Sequence, residues 1–162
     1  MIGTGYVGLV SGTCFADIGH QVYCVDKDVS KITKLNSGIS PIYEPGLDEL
    51  IQKNYKAKRL TFTTDLKKAI TASDIIFICV GTPMSESGEA NLCFIESVAR
   101  DIGKHLQSYA VIVVKSTVPV GTCERVRAWV REELEARGSD IAFDVASNPE
   151  FLKEGVAVND FM

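Results

Sequence analysis

Short apolar runs rich in valine and isoleucine alternate along this chain with amphipathic stretches, and few architectures satisfy that alternation. Gln21–Asp26, Asp74–Val80, Ala110–Val114 and Ile141–Ser147 read as strands covered on both faces, with Leu60–Thr63 a weaker candidate. Between them, Val7–Ile18, Ser30–Asn36, Gly46–Asn54, Asp65–Ala72, Leu92–Leu106 and Thr122–Ala136 read as helices. Val7, Val10, Cys14 and Ile18 fall on one face of the first. Asp65 can cap the helix that follows it, and Gly138 can stop the one before it. The expectation is an α/β domain with a parallel sheet, doubly wound by helices on both faces.

Composition agrees with one globular domain. The 162 residues are 46% hydrophobic and 23% charged, near the soluble average. Seventeen basic against 21 acidic residues give a net charge of −4, which disfavours a nucleic-acid or anionic-membrane binder. No apolar run approaches the roughly 20 residues of a membrane span, and no export leader is visible. The cysteines, Cys14, Cys24, Cys79, Cys93 and Cys123, are odd in number and lack C-x-x-C spacing. They read as small buried hydrophobes in a reducing cytoplasm rather than as a zinc site or disulfide framework. Both ends read as cut. Only Met1 and Ile2 precede the first glycine turn, so most of the first strand is missing, and Gly155–Met162 reads as the start of a helix or loop without a stop.

Gly3-Thr4-Gly5-Tyr6-Val7-Gly8 is G-x-G-x-x-G ahead of an amphipathic helix. The first glycine permits the tight turn, the second lets backbone approach a pyrophosphate, and the third lets the helix pack on the sheet. The helix N-terminus then offers N–H groups and partial positive charge to phosphate. The next strand ends at Asp26, 18 residues after Gly8. That is near the ~20 expected of the acid that binds the adenosine ribose. A carboxylate there repels a 2′-phosphate and favours NAD over NADP, although Lys27 or Lys31 can neutralise it.

Further loops follow strands at their C-terminal ends, where open α/β sheets bind ligands. Gly81-Thr82-Pro83 and Ser116-Thr117-Val118-Pro119-Val120-Gly121-Thr122 combine rigid backbone with hydroxyl groups, and Thr122 can alternatively cap the next helix. In Asn148-Pro149-Glu150-Phe151-Leu152-Lys153-Glu154-Gly155, Glu150 and Glu154 would share a face if the segment is helical, and such a pair can do base work on water. Tyr43-Glu44-Pro45-Gly46-Leu47 reads only as a helix start, with Pro45 suited to the first turn.

The strings GTGYVGLV, YEPGLDEL, VGTP, STVPVGT and NPEFLKEGVAVNDF, in this order from Gly3 to Phe161, resemble the UDP-glucose/GDP-mannose dehydrogenase family. The resemblance implies a Rossmann-like, N-terminal NAD-binding domain over residues 1–162, with the central and UDP-binding domains absent. It implies an oxidoreductase converting UDP-glucose to UDP-glucuronate for polysaccharide biosynthesis, with two NAD used in succession and a cysteine-bound thioester hydrolysed at the end. GDP-mannose and UDP-N-acetylmannosamine dehydrogenases of the same family are the alternatives, and a non-catalytic NAD-binding module is the rival from another class.

By the resemblance, Gly3, Gly5, Tyr6, Val7 and Gly8 line the pyrophosphate turn, Asp26 holds the ribose, and Lys31 lies near the adenosine end. Thr82 and Thr117 lie along the nicotinamide side. Thr117, Glu150 and Glu154 surround the reacting carbon: Glu150 as base in thioester hydrolysis, Thr117 placing water, Glu154 touching the cofactor and ordering that water. Phe151, Leu152 and Lys153 contact the sugar nucleotide. The family's nucleophile lies in a G-x-C-x-P-K-D segment that none of the five cysteines has, so it is expected beyond this chain, as are the family's oxyanion-stabilising lysine and asparagine. The 162 residues alone are expected to be inactive. The resemblance further implies no metal, no nucleic acid and no membrane, a cytoplasmic location, and a homo-oligomer at full length.

Overall fold

The computed structural model describes residues 1–84, 88 and 90–162. The chain divides into two compact units, one of residues 1–66 with 151–162, the other of residues 67–150.

In the first unit, β1 (Val22–Val25) pairs in parallel with β2 (Leu60–Thr63), Val22 opposite Leu60. Met1–Gly3 runs along β1: the Val25 N–H donates to the Met1 carbonyl at 2.9 Å and the Gly3 N–H to the Val25 carbonyl at 2.8 Å. Helix α1 (Tyr6–Asp17) leads into β1, and α2 (Val29–Asn36) and α3 (Leu47–Lys56) connect β1 to β2. Each strand and helix lies within a few residues of its expected bounds, and the weaker candidate Leu60–Thr63 is a strand throughout.

Helix α1 departs from the amphipathic expectation. It is buried nearly all round, from Gly8 through Cys14 and at Ala16, while Ile18 is exposed. Its small residues let it sink against the strands. A Cβ built on Gly12 would lie 2.6 Å from the Cys24 Sγ and 3.0 Å from the Met1 Cγ, so this helix packs closely on β1 at Gly12. The Asp28 carboxylate caps α2 by accepting from the Ser30 and Lys31 N–H groups. Helix α3 starts at Leu47 behind a left-handed Gly46, which leaves Pro45 ahead of the helix rather than in its first turn. The closing segment forms α7 (Ala157–Phe161), whose Phe161 ring meets Phe15 of α1 edge-on at 5.0 Å. Leu9, Leu35, Leu47, Ile51 and Leu60 centre this unit's core.

In the second unit, β3 (Ile75–Ile78), β4 (Ala110–Val114) and β5 (Phe143–Ser147) form a parallel sheet in that order, with Ile75 opposite Val111 and Ala110 opposite Phe143. Helix α4 (Leu66–Thr71) precedes β3. Helices α5 (Cys93–His105) and α6 (Thr122–Ala136) make the two crossovers, as parallel neighbours require. The crossover helices meet at Gly103, where a Cβ would lie 2.6 Å from the Val130 carbonyl oxygen. Arg100 of α5 reaches Glu132 at 2.9 Å and Glu133 at 3.2 Å on α6. Gly138 ends α6 as expected, in the left-handed region, with its N–H on the Glu135 carbonyl and the Ser139 N–H on that of Leu134.

The cysteines only partly follow expectation. Cys14 and Cys24 are buried, Cys79 and Cys123 half-buried, and Cys93 is exposed at the first position of α5. Burial pushes the Cys14 and Cys24 thiols up to about 11, which keeps both protonated. Among the described residues no helix is long and apolar enough to cross a membrane.

Candidate functional site

The glycine turn connects Met1–Gly3 to α1. Gly3 sits at φ +100°, a conformation that only glycine adopts easily. Gly5 is the extended N-cap of α1, with no side chain capping the helix and no acidic residue in its first turn. A Cβ on Gly5 would meet nothing within 4 Å. The first turn of this 12-residue helix thus has neither a side-chain cap nor an acidic residue of its own, an arrangement that suits an anionic pyrophosphate.

Asp26 follows β1 and closes on this turn. Its Oδ2 accepts from the Thr4 N–H at 3.0 Å, the Thr4 hydroxyl at 2.7 Å and the Lys31 ammonium at 3.1 Å. Its Oδ1 accepts from the Asp28 N–H at 3.1 Å. Burial alone would push the carboxyl up by disfavouring its charged form, but these bonds outweigh it and pull the carboxyl down to about 2. Asp26 is thus a fixed anion at neutral pH. Lys31 pairs with Asp26 itself, the neutralising role expected of one of the two nearby lysines.

The Phe151–Gly155 segment belongs to the same unit. It is not helical: no regular structure covers Asn148–Lys153, and Glu154–Val156 form a turn with Gly155 at φ +91°. Glu150 and Glu154 therefore do not share a helix face, a correction to that expectation. Pro149 removes one N–H, and the left-handed Gly155 opposes helix continuation. Phe151, Lys153 and Glu154 are exposed and Leu152 is half-buried. Glu154 lies close enough to Tyr6 for its charge to act on the phenol.

Sequence reasoning missed the residue that joins these parts. Glu44, read only as part of a helix start, is buried. Its Oε2 accepts from the Tyr6 hydroxyl and from the Gly155 N–H at 2.7 Å, and its Oε1 from the Ala157 N–H at 2.8 Å.

In the second unit the loops after β3 and β4 are tied together. The Thr82 hydroxyl donates to the Thr117 carbonyl at 2.9 Å, and the Ser116 hydroxyl to the Val80 carbonyl at 2.7 Å. Thr117 itself is exposed. Thr122 does not cap α6: Gly121 holds that position, and the Thr122 hydroxyl donates to the Pro119 carbonyl at 2.7 Å. Lys115, buried at the end of β4, donates to the Asn148 Oδ1 at 3.1 Å and so anchors the start of the loop that carries the half-buried Glu150. Among the described residues no cluster of three or more His, Cys, Asp or Glu could hold a metal ion.

Residues 1–162 match the UDP-glucose/GDP-mannose dehydrogenase family, NAD binding domain. The chain is 59% identical to the UDP-glucose 6-dehydrogenase TuaD of Bacillus subtilis (strain 168), over 100% of this chain and 34% of that protein. It is 54% identical to the UDP-glucose 6-dehydrogenase of Rhizobium meliloti (strain 1021), over 99% of this chain and 36% of that protein. Among solved structures, a UDP-glucose dehydrogenase from Pyrobaculum islandicum aligns with TM-score 0.92 at 42% identity, over 99% of this chain and 37% of that one. A ternary complex of a Pseudomonas aeruginosa GDP-mannose dehydrogenase aligns with TM-score 0.91 at 41% identity, again over 99% and 37%. The chain thus spans about a third of the length of these relatives, and the α/β dinucleotide-binding fold expected from its sequence is the fold it has.

Proposed function

The chain belongs to the UDP-glucose/GDP-mannose dehydrogenase family and is its NAD-binding domain, and from that premise we propose that the whole protein oxidises UDP-glucose to UDP-glucuronate. The observation that carries the cofactor half is Asp26, an anion locked by Thr4 to the glycine turn that opens a helix without a side-chain cap. Support for the sugar is the identity to proteins named as UDP-glucose 6-dehydrogenases, 59% and 54%.

Bound NAD supplies the hydride acceptor. The residues of this chain supply position and proton handling. Gly3, Gly5, Tyr6, Val7 and Gly8 present backbone to the pyrophosphate, and Asp26 accepts a ribose hydroxyl. Lys31 lies at the adenosine end, where its pairing with Asp26 moderates the repulsion of a 2′-phosphate. Thr82 and Thr117 flank the nicotinamide side on loops whose mutual hydrogen bond limits their freedom. Phe151, Leu152 and Lys153 hold the sugar nucleotide. Glu154 touches the cofactor and orders water, Thr117 places that water, and Glu150 takes its proton when the thioester is hydrolysed. The nucleophilic cysteine comes from outside these 162 residues, and the working protein is a cytoplasmic homo-oligomer.

The test is turnover by the full-length protein with NAD and each nucleotide sugar. UDP-glucose should give UDP-glucuronate with two NADH per sugar and should outrun GDP-mannose and UDP-N-acetylmannosamine in kcat/KM. Faster oxidation of either rival would transfer the assignment to that sugar. NAD binding without oxidation of any would leave a binding module.

A further inference from the structure

We propose that Glu44 is a positioning residue whose single carboxylate ties the glycine turn, through Tyr6, to the turn that closes the Phe151–Gly155 segment, so that the cofactor turn and the sugar-nucleotide segment are held as one piece. The inference rests on the reading of those two segments given above and adds the residue that joins them.

Glu44 is 4% exposed, and a carboxylate so placed is costly unless its oxygens are hydrogen-bonded. It is satisfied from two directions. Tyr6, the first residue of α1, donates its hydroxyl to Oε2. From the far end of the chain, the Gly155 N–H donates to the same oxygen at 2.7 Å and the Ala157 N–H to Oε1 at 2.8 Å. The carboxylate thus caps α7, whose own N-cap residue, Val156, makes no side-chain cap bond. Its backbone is itself fixed: the Glu44 carbonyl accepts from the Leu47 N–H at 3.1 Å, across the left-handed Gly46 that opens α3.

The charges agree with this division of labour. Burial would raise the Glu44 carboxyl, but the bonds from Tyr6, Gly155, Ala157 and Val158 outweigh it and hold the group below its ordinary value, so it is an acceptor at neutral pH. Burial, then the bond to Glu44, push the Tyr6 phenol up to about 12, so it stays a donor. The helix-start motif therefore owes its acidic residue to contacts made elsewhere in the fold. A helix start alone is served by Gly46 and by Asp48 and Glu49 in the first turn.

The test uses the full-length protein and the variants Glu44→Gln and Tyr6→Phe, with the unfolding midpoint recorded for each. Glutamine keeps one acceptor oxygen and sets an amide N–H against a donor. It should therefore raise the NAD Kd and the UDP-glucose KM, each by about tenfold, while kcat stays within about threefold. Tyr6→Phe removes only the cofactor arm and should raise the NAD Kd severalfold while the UDP-glucose KM stays within about twofold. A folded Glu44→Gln protein with either constant unchanged overturns the tie, because a merely structural carboxylate would lower the midpoint without moving both. If Glu44→Gln does not fold, Tyr6→Phe decides: an unchanged NAD Kd overturns the proposal and a raised one supports it. If the unmutated protein binds NAD but leaves UDP-glucose untouched, the substrate reading fails, and Glu44 is judged on the NAD Kd alone.

Discussion

Asp26 accepts hydrogen bonds from Thr4, Asp28 and Lys31, and these fix its response to acid and, under the role proposed for it, its preference between NAD and NADP. Asp26→Ala should weaken NAD by roughly tenfold, the loss of a charge-assisted bond, while NADP changes little, as titration with the two cofactors would show. The folded carboxyl is pulled down to about 2, below its unfolded value near 3.9. Its stabilising contribution is therefore complete above about pH 4 and is lost as pH falls toward 2. Denaturation measured across that window should show Asp26→Asn losing less stability than the unmutated protein. Asp26 was legible because turn, helix and strand fix its spacing from Gly8. Glu44 was not, because its partners lie 38, 111 and 113 positions away along the chain. Lys115 and Asn148, 33 positions apart, escaped for the same reason.

Each strand and helix of the sequence reading exists, because alternation and periodicity report burial locally. Close approach and turn geometry are less local, and two helix positions show how this decides the sign of a substitution. Helix α3 ends with Lys58 at φ +58°, its N–H on the Tyr55 carbonyl and the Arg59 N–H on that of Asn54. This is the closure that α1 and α2 make with Gly19 and Gly38. A lysine there bears the steric cost of the left-handed region, so Lys58→Gly should stabilise by about 0.5–1 kcal/mol in chemical denaturation. Gly103, inside α5, is the opposite case. Alanine gains about 1 kcal/mol of helix propensity, but its Cβ would meet the Val130 carbonyl at 2.6 Å. Backbone cannot swing away as a side chain can, so Gly103→Ala should cost a net 1–3 kcal/mol, roughly, by the same measurement. Nothing in the Gly103 neighbourhood of the sequence marks that contact, since its partner is on the following helix.

At the scale of the molecule, the 162 residues cover 34% to 37% of the four relatives described above, so their chemistry has to be tested in the whole protein. Glu150 lies in the loop that Lys115 anchors through Asn148, just past the C-terminal end of β5. Strand ends of parallel sheets are where such folds place reacting groups. If Glu150 takes the proton from the water that opens the thioester, it acts after the first oxidation and leaves cofactor binding alone. Glu150→Gln keeps the shape and removes the base, so overall turnover should fall by roughly 10²–10⁴ while the NAD Kd stays nearly constant. Thr117→Ala should cost less, because that residue places water without accepting its proton. The two roles separate in the enzyme population during turnover. With hydrolysis blocked, an acylated protein should accumulate, and mass spectrometry of Glu150→Gln quenched with UDP-glucose and NAD should find the added mass on the full-length chain. Strongly reduced turnover without that adduct would place Glu150 before the thioester forms, and its assignment as the hydrolytic base would fall.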